Sequence, residues 1–291
     1  MRGPELALIG LGGMGKGIGL CLLDEGFSLR VHNRTPERAK PLVDAGATLA
    51  ESAADAVAGV GVVILCLSDE AAVEEVLFGP RAPGFDAGTL LVDTSTVSPT
   101  YARDATRRLA ERGIGRLEAC MVGNPQMARV GWLRVFTAGN PRDAERVADI
   151  LDVLGQEVRH IGADGMACVL KLAFNMLLAA QTAGLAEAVA YGTGAGIDRE
   201  VLLHTLVGDG SGLSSPLLAF RADFMIRGHY EPAAFRSSLM AKDLHLAMRE
   251  GAELGLALPL TGSAAEQFDS VIKAGDGDKD AAAILELRQR R

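Results

Sequence analysis

The chain has 291 residues, 48% of them apolar, and a formal net charge of −8, which at roughly 150 residues per domain points to two domains with sizeable cores. The acidic balance argues against a nucleic-acid partner and offers no basic face to an anionic membrane. Cys21, Cys66, Cys120 and Cys168 lie far apart with no C-x-x-C pair, so neither a zinc cluster nor a disulfide framework is expected, and reduced cytoplasmic thiols are the simplest reading.

Met1 runs directly into the first strand, Glu5 to Ile9, and a signal peptide is not expected. That strand is followed by GLGGMG, residues 10 to 15, and by helical periodicity from Met14 to Leu23. Gly10, Gly12 and Gly15 fall at the G-x-G-x-x-G spacing, a weak signal in a chain with 35 glycines. The strand-turn-helix order strengthens it. The first glycine permits the tight turn, the second lets backbone approach a pyrophosphate, and the third lets helix and sheet pack closely. Residues Gly10, Leu11, Gly12, Gly13, Met14 and Gly15 are therefore read as a dinucleotide cradle at a helix N-terminus.

The second strand, Ser28 to His32, ends at Asn33, Arg34 and Thr35, where an NAD enzyme would place an acid for the ribose 2′-hydroxyl. Arg34 instead offers a planar charged fork for a 2′-phosphate, with Asn33 and Thr35 as neutral donors, so NADP is the expected cofactor. Thr35 also reads as a helix cap, with Pro36 at the first helical position. Further buried strands are read at Val60 to Leu67, Thr89 to Asp93, Leu117 to Met121, Leu133 to Ala138 and Val158 to His160. Leu67 and Ser68 sit at a strand's carboxyl end, where such sheets bind ligands. Alternation of strands with helices gives a doubly wound parallel sheet of Rossmann type over residues 1–162. Helix then follows helix over 163–291, interrupted by the polar loop Gly275 to Asp280.

From Met166 to Gly192 only Lys171 and Glu187 are charged. Length and apolarity alone would suit a membrane span, but Lys171, Asn175, Gln181 and Thr182 interrupt it, so a core helix is expected. Lys171 is costly to bury unless its ammonium reaches water or has work to do. Asn175 shares its helix face. A partly desolvated lysine beside a dinucleotide domain is read as a general acid or base. The five histidines form no group with metal-ligand spacing, and no metal is expected.

Five stretches in order, GLGGMG with NRT, DTSTVSP (93–99), EACMVGNPQMARVGWLRVFTAG (118–139), GADGMACVLKLAFN (162–175) and KDLHLA (242–247), resemble the β-hydroxyacid dehydrogenase family. That family includes 3-hydroxyisobutyrate dehydrogenases and is akin to 6-phosphogluconate dehydrogenase. The resemblance implies that Lys171 is the catalytic lysine and Asn175 the substrate-orienting asparagine. It puts Thr96 near nicotinamide ribose and substrate with Ser95 beside it, and gives Lys242 a reach to the cofactor. Val122, Gly123 and Asn124 occupy a substrate loop that is usually Ser-Gly-Gly in relatives, and Cys120 replaces a common proline. The implied activity is NADP(H)-dependent hydride transfer with a small carbonyl compound or β-hydroxy acid, in a homo-oligomer whose long apolar helices bury surface between subunits. An imine reductase, whose key position is usually not lysine, and a non-catalytic NADP-binding assembly module are the alternatives. Lys171 counts against both.

Overall fold

In a computed structural model describing residues 5–208, 210–213 and 215–288, eight strands among the described residues form one sheet. They are β1 (Leu6–Ile9), β2 (Leu29–His32), β3 (Thr48–Leu49), β4 (Val62–Leu65), β5 (Leu90–Asp93), β6 (Gly115–Val122), β7 (Leu133–Ala138) and β8 (Gly155–His160). The spatial order is β3-β2-β1-β4-β5-β6-β7-β8. All neighbours run parallel except β6 and β7, which are antiparallel. The strand order reverses at β1 and β4, and the crevice outside their carboxyl ends is where doubly wound sheets take ligands.

Strand period assigns the core. Leu6 and Leu8 face one apolar cluster with Ile18, Leu22 and Val135, while Ala7 and Ile9 face another with Ala102, Leu109 and Cys168. Successive side chains leave a strand on opposite faces, so a sheet covered on both sides needs continuous apolar runs. Runs such as VVIL in β4 and LLVD in β5 meet that need. The edge strand β3 has two residues, both exposed, and carries no apolar run that would reveal it. A short edge limits strand pairing with other chains.

The chain divides into two compact units, one up to Lys171 and one from Leu172 on. The helix Met166–Gly194 begins in the first and continues in the second. By length and composition it could cross a membrane, yet Leu178, Ala179, Ala186 and Val189 on it are buried against Met225, Met240, Leu244, Phe268 and Ile284 of the helical unit. Leu177, Tyr191 and Leu260 are exposed.

The polar loop Gly275 to Asp280 is exposed at Gly275 and Asp278 but ends in a buried charge. Asp280 is wholly buried and accepts hydrogen bonds from Arg221 (2.5 Å) and from the backbone amides of Ala234, Phe235 and Ala282. A buried carboxylate persists where donors replace the water it has lost.

Candidate functional site

The glycine turn is built by contact. Gly10 has φ +98°, and a Cβ there would stand 2.3 Å from the Cys66 carbonyl oxygen. A Cβ at Gly15 would stand 2.0 Å from the Gly10 carbonyl oxygen. Gly12 differs, because nothing lies within 4 Å of a Cβ built on it. The fold has no need of glycine there, whereas a pyrophosphate against the backbone does. Gly12 is also the N-cap of helix Gly13–Asp24 and contributes no capping side chain, so this helix start meets an anion with amides alone.

Leu11 and Asn33 hold the turn together. Leu11 is buried in the core, and its amide donates to Asn33 Oδ1 at 2.9 Å. Asn33 Nδ2 donates to the Thr35 carbonyl oxygen at 2.9 Å. Asn33 thus braces the glycine turn, with its Oδ1 and one of its two Nδ2 N–H groups engaged on local backbone. Thr35 stands at the N-cap position of the 3-10 turn Pro36–Ala39 but makes no side-chain capping bond. Arg34 is exposed at the end of β2, and Arg38, which the sequence reading passed over, is exposed one turn later.

At the end of β4, the Leu67 amide donates to Ser95 Oγ at 3.0 Å, and the Ser95 amide donates to Asp93 Oδ1 at 3.0 Å. Ser95 is buried, and its hydroxyl accepts the Leu67 amide and braces the loop, while Thr96 beside it stays half-exposed. Ser68 is exposed and donates to Asp69, the N-cap of helix Glu70–Phe78.

Asp93 also accepts from the fully buried Arg116 guanidinium at 2.7 Å. Arg116 Nη1 lies 3.7 Å from Glu118, whose carboxylate accepts from the Gly165 amide and from the Cys168 amide at 3.2 Å. Burial pushes the Glu118 carboxyl up, while Arg116 and these two amides pull it down. A carboxylate from β6 therefore caps the start of the helix that carries Lys171. Asp93, Arg116 and Glu118 escaped the sequence reading, and charges inside apolar strands were the signal that could have found them.

In the substrate loop, Gly123 has φ +149°, and a Cβ there would stand 2.6 Å from Leu133 Cδ2, so this position requires glycine. Asn124 Oδ1 accepts from the Met127 amide at 2.9 Å and caps helix Pro125–Arg129. Its side-chain carbonyl thus serves the fold as well as standing in the substrate loop. Val122 ends β6, half-buried. Cys120 and Cys168 face each other with 3.9 Å between their sulfurs, and the bonded neighbour and burial drive the Cys168 thiol well above its ordinary range.

Lys171 is half-buried on the long helix, with Asn175 one turn on. In the helical unit Asn175 is 1% exposed, and its Nδ2 donates to Asp243 Oδ2 at 2.5 Å. Lys242 Nζ lies 2.8 Å from Asp243 Oδ1. Asp243 was missed, although it stands inside the quoted KDLHLA. Among the described residues no group of three or more His, Cys, Asp and Glu side chains is placed to hold a metal ion.

Comparison with known proteins gives two family matches. The NAD binding domain of 6-phosphogluconate dehydrogenase matches residues 5–162, and the NAD-binding region of NADP-dependent 3-hydroxyisobutyrate dehydrogenase matches residues 165–288. The 2-(hydroxymethyl)glutarate dehydrogenase of Eubacterium barkeri is 30% identical over 285 residues, covering 97% of this chain and 94% of its own. The NAD-dependent L-serine dehydrogenase of Pseudomonas aeruginosa is 31% identical over 294 residues, covering 97% of each chain. The crystal structure of 3-hydroxyisobutyrate dehydrogenase from Salmonella typhimurium superposes with a TM-score of 0.89 at 26% identity, covering 97% of this chain and 99% of that one.

Proposed function

The chain belongs to the 3-hydroxyisobutyrate dehydrogenase-like β-hydroxyacid dehydrogenase family, and from that premise we propose that it is an NADP(H)-dependent oxidoreductase acting on a small carbonyl compound or β-hydroxy acid. The observation that carries this reading is the open backbone at Gly12, at the carboxyl end of β1 beside β4, with Arg34 at the end of β2. Bound NADP(H) supplies or accepts the hydride at its nicotinamide. In reduction, Lys171 gives its ammonium proton to the oxygen that becomes the alkoxide and is reprotonated from solvent. In oxidation, the neutral amine takes the hydroxyl proton. Asn175 orients the substrate, and the loop at Val122 and Gly123 meets its remaining groups. The exposed Leu177, Tyr191 and Leu260 support the expected self-association.

A spectrophotometric screen of NADPH oxidation over small aldehydes, keto acids and cyclic imines tests the reaction. Turnover of the carbonyl compounds is expected. Turnover of imines alone would move the protein to the imine reductases, and silence across the panel would favour a binding module.

Cofactor choice has its own test. Arg34→Glu exchanges a charge-assisted fork for repulsion and is expected to weaken NADPH by about 10- to 100-fold, with NADH little changed. Equal affinity of the native protein for NADPH and NADH would overturn the NADP assignment.

The loop predicts substrate preference. Val122 supplies an isopropyl group where relatives supply a hydroxyl donor, and a carboxylate left short of one donor loses about 1 kcal/mol or more. Val122→Ser is therefore expected to raise kcat/KM for 3-hydroxyisobutyrate about fivefold or more. Asn124 is best kept, since it caps helix Pro125–Arg129. Efficient oxidation of 3-hydroxyisobutyrate by the native protein would show that Val122 does not control selection.

A further inference from the structure

A primary amide can present either of two faces, an acceptor oxygen or a donor nitrogen. Which one Asn175 presents is decided by its neighbour. Asn175 Nδ2 donates to Asp243 Oδ2 at 2.5 Å, and both side chains are buried. The other carboxylate oxygen lies 2.8 Å from the Lys242 ammonium, so Asp243 is paired as an anion and has only lone pairs to offer. Turning the Asn175 amide over would set its oxygen against those lone pairs. Asn175 Oδ1 is buried and has no hydrogen-bond partner among the described residues. A buried acceptor without a donor is costly, and a ligand's O–H group would satisfy it.

We propose that Asp243 is a specificity-determining positioning residue, which locks Asn175 so that it meets the substrate with its oxygen alone. The inference rests on the reading of Asn175 as the substrate-orienting residue. It makes the site select a hydroxyl at the reacting carbon over the carbonyl of the oxidised partner, whose lone pairs face those of Oδ1. Asp243 acts only through Asn175: on binding, the substrate hydroxyl donates to Asn175 Oδ1, and in oxidation it turns that one proton to the neutral Lys171 amine. A ligand pair that differs only at that carbon is bound unequally, the hydroxy form more tightly.

Two measurements test this. The chain contains four asparagines, Asn33, Asn124, Asn140 and Asn175, so selective ¹⁵N-asparagine labelling resolves every asparagine side-chain amide without any ligand. One amide is expected to show a downfield, slowly exchanging proton that is absent in Asn175→Ala and returns to an ordinary position in Asp243→Asn. An ordinary, rapidly exchanging Asn175 amide in the native protein would overturn the proposal. The second measurement uses complexes that cannot react, 4-hydroxybutyrate with NADPH and succinic semialdehyde with NADP⁺, titrated calorimetrically. The native protein is expected to favour the hydroxy compound by about tenfold or more. In Asp243→Asn the new amide donates to Asn175 Oδ1 and the ratio falls toward one, with circular dichroism verifying the fold. A ratio unchanged by Asp243→Asn rejects the assignment. Turnover surviving in Lys171→Ala would remove the proposed reaction, while the amide signature would still report the Asn175 orientation, so the two failures are distinguishable.

Discussion

Lys171→Ala is expected to lower turnover by roughly 100- to 10,000-fold, the scale of a lost general acid, while NADPH titrates with nearly native affinity. Lys171 is half-buried in the early turns of helix Met166–Gly194, one turn before Asn175. An amine in such a place can release and regain a proton, whereas a guanidinium stays charged. Lys171→Arg is therefore expected to keep the charge and fail to restore turnover. That pair of variants separates proton transfer from electrostatic attraction. Native-like rates in Lys171→Ala would assign the lysine to structure and send the search to another acid.

The second large effect falls on stability. Glu118→Ala removes the carboxylate that receives the Gly165 and Cys168 amides and lies 3.7 Å from the fully buried Arg116. Breaking a buried charge network from one side typically costs about 3–5 kcal/mol, because the remaining charge and donors have no water to turn to. Asp93 still holds Arg116 at 2.7 Å, which places the expected loss near the lower end of that range. Glu118→Gln keeps the shape and one acceptor, and is expected to lose less. Urea unfolding monitored by circular dichroism checks both, with the midpoint falling and the slope retained. A midpoint within error of the native value in Glu118→Ala would show that solvent or a rearranged Arg116 replaces the carboxylate.

Most of the sheet was legible because strands covered on both faces are written as uninterrupted apolar runs. β3 was not, since two exposed residues, Thr48 and Leu49, carry no pattern. The reversal of β7 relative to β6 was not either, because LRVFTA reads the same in both directions of pairing. The candidate site was legible as residue types and not as partnerships. Asn33 and Asn124 were visible as polar groups beside a ligand, yet each also braces nearby backbone, Asn33 at Leu11 and Thr35, Asn124 at Met127. Asp243 and Asn175 meet across sixty-eight positions of chain, a distance over which local periodicity says nothing. Asp280 looked like a loop residue in a polar stretch, and only its pairing with Arg221 reveals a buried anchor.

The helix behind the glycine turn is seated on the helix that follows the substrate loop. A Cβ at Gly17 would stand 2.6 Å from the Pro125 carbonyl oxygen and 2.9 Å from Ala128 Cβ, and one at Gly13 would stand 3.1 Å from Pro125 Cγ. The Arg129 guanidinium is paired with Asp24 across the same seam. Contacts this close leave little room for a side chain at either glycine. The seam therefore ties the start of the helix after the substrate loop to the helix that opens at the glycine turn, and a methyl group added at Gly17 is expected to push the two apart.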